Sequence, residues 1–269
     1  MALDVLCFHC FRSEVTPGAL LREAAADVLE GLDVELWFDR DWQDDSLRKV
    51  LRYFLTQSGS STRDFAQRVI ENLRNRIEHQ ACGRWRDLDA AICLLFEYQP
   101  DAALSILVGD AEDEPSTRCR KALEGDGERS ILQKLSLDAL LVWCRSGPEA
   151  RWVNVAPLVH AFSGAGSDCK WSDQARALLV EAPAQLKLNV AASLVSRITT
   201  DPHGSYLEPL SATMNGRLVL FDQLEVILGA SCKEGVAHLK EQALAAIRER
   251  ENSEERERQQ YEKQYERFE

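Results

Sequence analysis

The chain has 269 residues, 45% of them hydrophobic, and a formal net charge of −12. That length and apolar content support one large or two small buried cores. The charge repels nucleic acid on average and favours basic partners. Asp, Glu or Arg interrupts every apolar run before membrane-spanning length, which excludes an evident transmembrane helix.

Residues 1–40 carry the only strand signal. Asp4–Phe11 (DVLCFHCF) and Val34–Phe38 (VELWF) are short and rich in aromatic or β-branched residues, and Gly18–Leu32 between them is Ala/Leu-rich and helical. Strand–helix–strand competes here with an all-helical reading, because short apolar runs fit both. The opening MALDVLCFHCFRSE lacks a basic start and a small-residue cleavage site, so the expectation is a cytoplasmic protein. Eight cysteines, most of them far apart, fit buried thiols better than a disulfide framework. Cys7, His9 and Cys10 cluster, but no second C-x-x-C completes a zinc site. Asp39, Asp41, Asp44 and Asp45 are read as helix-capping residues rather than cation ligands.

After Asp39 the pattern is helical. Asp45–Gln57 and Thr62–Gln80 place apolar residues every three to four positions, and Ser61-Thr62-Arg63-Asp64 looks like a capping box. Arg86–Tyr98 follows, and Pro100 opens a segment through Val108. Gly109–Pro115 and Gly125–Glu128 read as exposed loops. Ser130–Arg145 reads as one amphipathic helix, followed by a segment from Glu149 to Phe162 and a flexible SGAGS at 163–167. Ser172 caps a helix to about Glu181, Pro183 opens another through Ile198, and Gly229 ends Arg217–Leu228. From Arg248 to Glu269, six basic and eight acidic side chains alternate with almost no apolar residue, as in a solvated helix, with an interaction arm as the functional alternative.

The expected fold class is therefore mainly α, built from antiparallel helical hairpins, with short strands within 1–40. The expected organisation is an N-terminal helical region over 1–110 with a small βαβ start, an acidic linker over 111–128, a hairpin array over 129–247 and a charged helical tail over 248–269. Helices of this length joined by short Pro/Gly turns resemble HEAT-like α-solenoids in layout over about 84–247, by spacing only. An irregular bundle is the other arrangement that fits.

Charge is uneven along the chain. Nine basic residues fall between Ser46 and Arg86: Arg48, Lys49, Arg52, Arg63, Arg68, Arg74, Arg76, Arg84 and Arg86. Three acids share that window. Within it lies Leu73-Arg74-Asn75-Arg76-Ile77-Glu78-His79. Arg74, the polar neighbour Asn75 and His79 resemble the signature of the HEPN family of helical nucleases. That resemblance implies metal-independent RNA cleavage, with His79 as general acid or base and Arg74 stabilising charge on the phosphate. Leu32–Leu47 also resembles a strand-and-loop segment of TIR domains, without the apolar third strand that should follow. No P-loop, dinucleotide fingerprint, nucleophile elbow or zincin motif is present, and no cofactor is expected.

The composition thus favours a helical scaffold presenting an acidic surface to a basic macromolecular partner. An inhibitor or immunity-type protein, or a subunit of a defence complex, would fit. The alternative is a HEPN-like ribonuclease, for which RNA would be the partner and Arg74, Asn75 and His79 the catalytic residues.

Overall fold

A computed structural model describes residues 51–56, 60–79, 89–124, 131–164, 166–200 and 209–265. The strand signals within 1–40, the Cys7–Cys10 cluster, the acidic cluster at Asp39–Asp45, and Arg84 and Arg86 lie outside them. Helices account for 83% of the described residues, and the only sheet among them is one short antiparallel pair, so the class is mainly α. Among the described residues no single helix is long and apolar enough to cross a membrane.

The chain divides into two compact units. Of the described residues, the first contains those through Leu123 together with Ile131–Trp143. Residues 51–55 are helical and lead toward α1 (Ser60–His79). One face of α1, at Phe65, Val69, Ile70, Leu73 and Ile77, is buried at the three-to-four spacing seen in the sequence. α2 (Asp89–Tyr98) buries Ile92, Leu95 and Phe96, and α3 (Pro100–Ala103) follows at once. α3 runs into a single π turn, Leu104–Val108, closed by the Gly109 amide donating to the Leu104 carbonyl at 2.9 Å. Gly109 has φ +64, a left-handed conformation that favours glycine and lets the chain leave the turn.

The stretch whose acidity reads as a linker, 111–128, instead holds α4 (Glu114–Leu123). The acids there start a helix. The Asp113 carboxylate accepts the Ser116 amide at 2.8 Å, and Pro115 sits in the first turn, where its missing N–H costs nothing. Cys119 and Leu123 are then buried one turn apart. Ser130–Arg145 differs from the single helix expected. A 3₁₀ turn at Ile131–Lys134 precedes α5 (Leu137–Arg145). The Ser136 hydroxyl accepts the Ala139 amide at 3.2 Å, an N-cap that restarts the helix. Within this unit the Trp143 indole donates to the Ser105 hydroxyl at 3.2 Å.

Of the described residues, the second unit contains Glu124 and those from Cys144 onward. α6 (Ala150–Val155) ends in a 3₁₀ turn that carries Pro157. The SGAGS stretch, expected to be flexible, begins a small hairpin. β1 (Phe162–Ser163) pairs with β2 (Lys170–Trp171), Phe162 opposite Trp171. The Trp171 indole donates to the Leu220 carbonyl at 3.1 Å, which ties the hairpin to the helices.

Ser172 caps α7 (Asp173–Glu181) as the sequence suggests, accepting the Ala175 amide at 3.1 Å. A 3₁₀ turn leads into α8 (Lys187–Thr200). The remaining helices are α9 (Leu210–Gly216), α10 (Val219–Leu228), ended by Gly229 at φ +77, and α11 (Lys233–Tyr265). α11 packs on α8, α9 and α10. At Gly235 a Cβ would come 2.7 Å from the Leu188 methyl carbons, so the crossing of α8 and α11 is close there.

Candidate functional site

Arg74 and Asn75 lie on the last third of α1, and His79 is its final residue. Asn75 is exposed and the Arg74 side chain is half-buried. The His79 side chain lies outside the described residues. The Arg74 guanidinium turns onto its own unit. Nη1 donates to the Ile106 carbonyl at 2.7 Å and Nη2 to the Ser116 hydroxyl at 2.9 Å. Ile106 belongs to the π turn, whose widened ring leaves carbonyls without helical partners. A cation at the carboxyl end of that turn also opposes its dipole.

Arg120 completes the arrangement from α4. It is only 8% exposed, and its Nη1 donates to the Val108 carbonyl at 3.0 Å and the Ala111 carbonyl at 2.9 Å. Burial lowers its pKa from the ordinary value, while Cys119, Asp113 and Glu112 act in the opposite direction. The guanidinium stays charged, because arginine is not deprotonated in proteins. Asp113 faces this pair. The hydrogen bonds from the Ser116 hydroxyl and amide hold its carboxyl below the ordinary range, with Arg74 and Arg120 adding to the effect. Two arginines, one serine and one aspartate thus fix the exit of the π turn against α1 and α4. Sequence reading found Arg74 but not this use of it. The signal for it was the pairing of a Pro-initiated apolar segment ending in Gly109 with two arginines on neighbouring helices.

The second unit repeats the device. Arg217, between α9 and α10, is 5% exposed. Its Nη1 donates to the Ile198 carbonyl, in the last turn of α8, at 3.1 Å. Its guanidinium carbon lies 4.6 Å from the centroid of the Phe162 ring, a cation–π contact.

A different kind of site lies along α11. The α9 amino terminus has no cap of its own, since Pro209 offers no side-chain acceptor. Glu254 of α11 takes that place. It accepts the Ser211 amide at 3.2 Å and the Ser211 hydroxyl in a second, short bond, and the Arg250 guanidinium at 3.2 Å. Burial pushes the Glu254 carboxyl up, but Ser211 and Arg250 together more than offset it, so its pKa lies below the ordinary value. Beside this cap is an open groove of about 1000 Å³ between the first turn of α9 and α11. Leu210, Glu251, Glu257, Tyr261 and Glu262 are among the residues that line it. Tyr261 is 63% exposed. Sequence reading takes this stretch as a charged, solvated tail, with an interaction arm as the alternative, and names no residue in it. The signal it carried was Tyr261 at helical register with Glu254 and Glu257.

Among the described residues no group of three or more His, Cys, Asp or Glu side chains is placed to hold a metal ion. No family model, curated protein or solved structure matches the chain.

Proposed function

We propose that this chain is a helical protein-binding module that presents an acidic surface to a basic macromolecular partner. The observation that carries this reading is where the cations go. Arg120 and Arg217 are buried and Arg74 is half-buried, each donating to backbone carbonyls of its own unit. With their donors spent on these carbonyls, the three guanidiniums are not free to pair with the surface carboxylates behind the formal −12. Carboxylates such as Asp173, Glu234, Glu241, Glu249 and Glu257 stand exposed on the helices of the second unit. A surface of this sign steers basic proteins into contact and repels polyanions.

The commitment of Arg74 to Ile106 and Ser116 favours this reading over the ribonuclease alternative, which assigns that guanidinium to a phosphate. A basic nucleic-acid-acting protein held inactive, or a neighbouring subunit of a defence complex, is a partner of the right chemistry. Affinity capture from the native cell, followed by a binding isotherm with each purified candidate, tests the proposal. A basic partner whose affinity falls steeply as salt rises is the expected result. Capture of acidic partners only, or RNA cleavage under chelator that is lost in His79→Ala, would overturn it.

A further inference from the structure

α11 carries one face through two environments. Val236, Lys240, Ala243, Ile247, Arg250, Glu254, Glu257 and Tyr261 recur at alternating steps of four and three, so they share one side of the helix. Val236, Ala243 and Ile247 are buried on it. Arg250 and Glu254 are half-buried at the α9 cap, and Glu257 and Tyr261 are exposed. The helix thus extends its packing face beyond the described elements that pack on it, and the groove beside α9 lies on that extension.

We infer that this face is a docking groove for a basic, amphipathic helix of a partner protein. The inference deepens the proposed binding function and rests on it. Pro209, Leu210 and the Tyr261 ring supply an apolar floor, and Glu251, Glu257 and Glu262 supply carboxylates around it. The two cations in the groove are already engaged, Arg250 with Glu254 and Arg258 with Glu255. Glu251 and Glu257, in contrast, accept from the neutral donors Asn215 and Ser253, which leave their charge uncompensated. From Glu251 to Glu262 the groove follows α11 for about 16 Å at 1.5 Å per residue, roughly three helical turns. That length and its apolar floor suit a helix laid into it, with one apolar side chain over Tyr261 and Lys or Arg at helical spacing against the carboxylates.

The test uses the full chain and a fluorescent Leu–Lys peptide designed as an amphipathic helix, with a scrambled isomer of identical composition, read by anisotropy at physiological salt. The helical isomer is expected to bind about tenfold tighter than the scrambled one. Tyr261→Ala should weaken it about fivefold or more, and Glu257→Lys with Glu262→Lys about tenfold or more, since an exposed aromatic anchor and rim charge are lost. Glu234→Lys with Glu241→Lys, at the other end of the same helix, should change it less than about twofold. If the wild type binds and the groove variants bind equally well, the groove is not the site although the basic-partner reading stands. If neither peptide binds even at low salt, the parent reading fails. A concentration-dependent dimer that Tyr261→Ala dissolves would make the occupant a second copy and refute a partner helix.

Discussion

Replacing Arg74 with methionine isolates what its guanidinium does, because methionine keeps the apolar stem and removes the charge and donors. The bonds lost include those to the Ile106 carbonyl at 2.7 Å and the Ser116 hydroxyl at 2.9 Å. Hydrogen bonds to a charged group contribute about 1.5–3 kcal/mol each, and an orphaned buried acceptor costs about 1–3 kcal/mol. The two acceptors differ in exposure. Ser116 is 2% exposed, so its hydroxyl loses a partner inside the protein. Ile106 is half-buried, so water replaces part of what its carbonyl loses. The expected loss is therefore about 2–4 kcal/mol, toward the lower end of the simple sum.

Urea unfolding of the full chain measures it, and amide exchange localises it, with faster exchange expected at Leu104–Gly109 and Glu114–Leu123. Arg74→Lys should recover only part of the loss, because one ammonium replaces a fork that spans two acceptors. A double-mutant cycle with Ser116→Ala should show a coupling of about 1–2 kcal/mol, since the two side chains share a bond. Stability of Arg74→Met within about 0.5 kcal/mol of wild type, the range of an ordinary surface change, would refute the structural role. Wild-type RNA cleavage under chelator, abolished by an equally stable Arg74→Lys, would refute it from the other side.

Arg217→Met should cost about 3–5 kcal/mol, combining an orphaned Ile198 carbonyl with a lost cation–π contact in a residue only 5% exposed, as read by thermal unfolding of the second unit. Gly216→Ala should destabilise by about 1–3 kcal/mol despite alanine's better helix propensity, because the added Cβ would lie 2.9 Å from the Gly166 Cα and backbone has to move. Lowering the pH should loosen the start of α9. The Glu254 carboxyl is held below the ordinary glutamate value of about 4.3, so its contribution is complete above that value and is lost as pH falls through the lower folded-state value. Faster exchange of the Ser211 amide below pH ~4 reports it, and Glu254→Gln should remove that pH dependence. Burial pushes the Cys144 thiol up to about 12, so it should resist alkylation at pH ~8 until the protein is unfolded, as mass spectrometry would show.

The helices were legible because their signal is local. The buried face of α1 and the Ser172 cap of α7 follow from side-chain spacing and one hydroxyl. Composition misled where the same residues serve two ends. Asp113 and Glu114 read as a solvated break, yet one caps and the other begins α4, and only the buried Cys119 and Leu123 further along reveal it. Ser136 interrupts what looks like one amphipathic helix, because its hydroxyl competes for the backbone. The SGAGS stretch carries glycines that suit a turn as well as a flexible link, and the pairing of Phe162 with Trp171 decides between them through a contact nine residues apart. The partners of Arg74 were out of reach for the same reason. Ile106 and Ser116 lie more than thirty residues away and offer a carbonyl and a hydroxyl, groups that leave no periodic trace in a sequence.

The positions of the arginines and of α11 have one physical root. A helix end inside a protein leaves carbonyls that need donors. In both units this chain meets that need with arginine, a long side chain with several donors and a permanent charge. Each guanidinium used in this way spends donors on backbone carbonyls rather than on a surface carboxylate. The reverse exchange occurs at α4, where Asp113 caps the amino terminus, and at α9, where Glu254 does so and Arg250 accompanies it. That cap also holds α11 in place at the point where its apolar stripe ends. The helix beyond it is therefore positioned by a half-buried network, while its own side chains, Glu257, Tyr261 and Glu262, are exposed. A helix already folded below an exposed ring and carboxylates lowers the ordering cost of recognition, since the backbone that carries the anchors is set before a partner arrives. Substituting Glu254 should for that reason weaken binding in the groove indirectly, and a Ser211→Ala variant, which leaves every exposed groove carboxylate in place, should weaken it in the same direction.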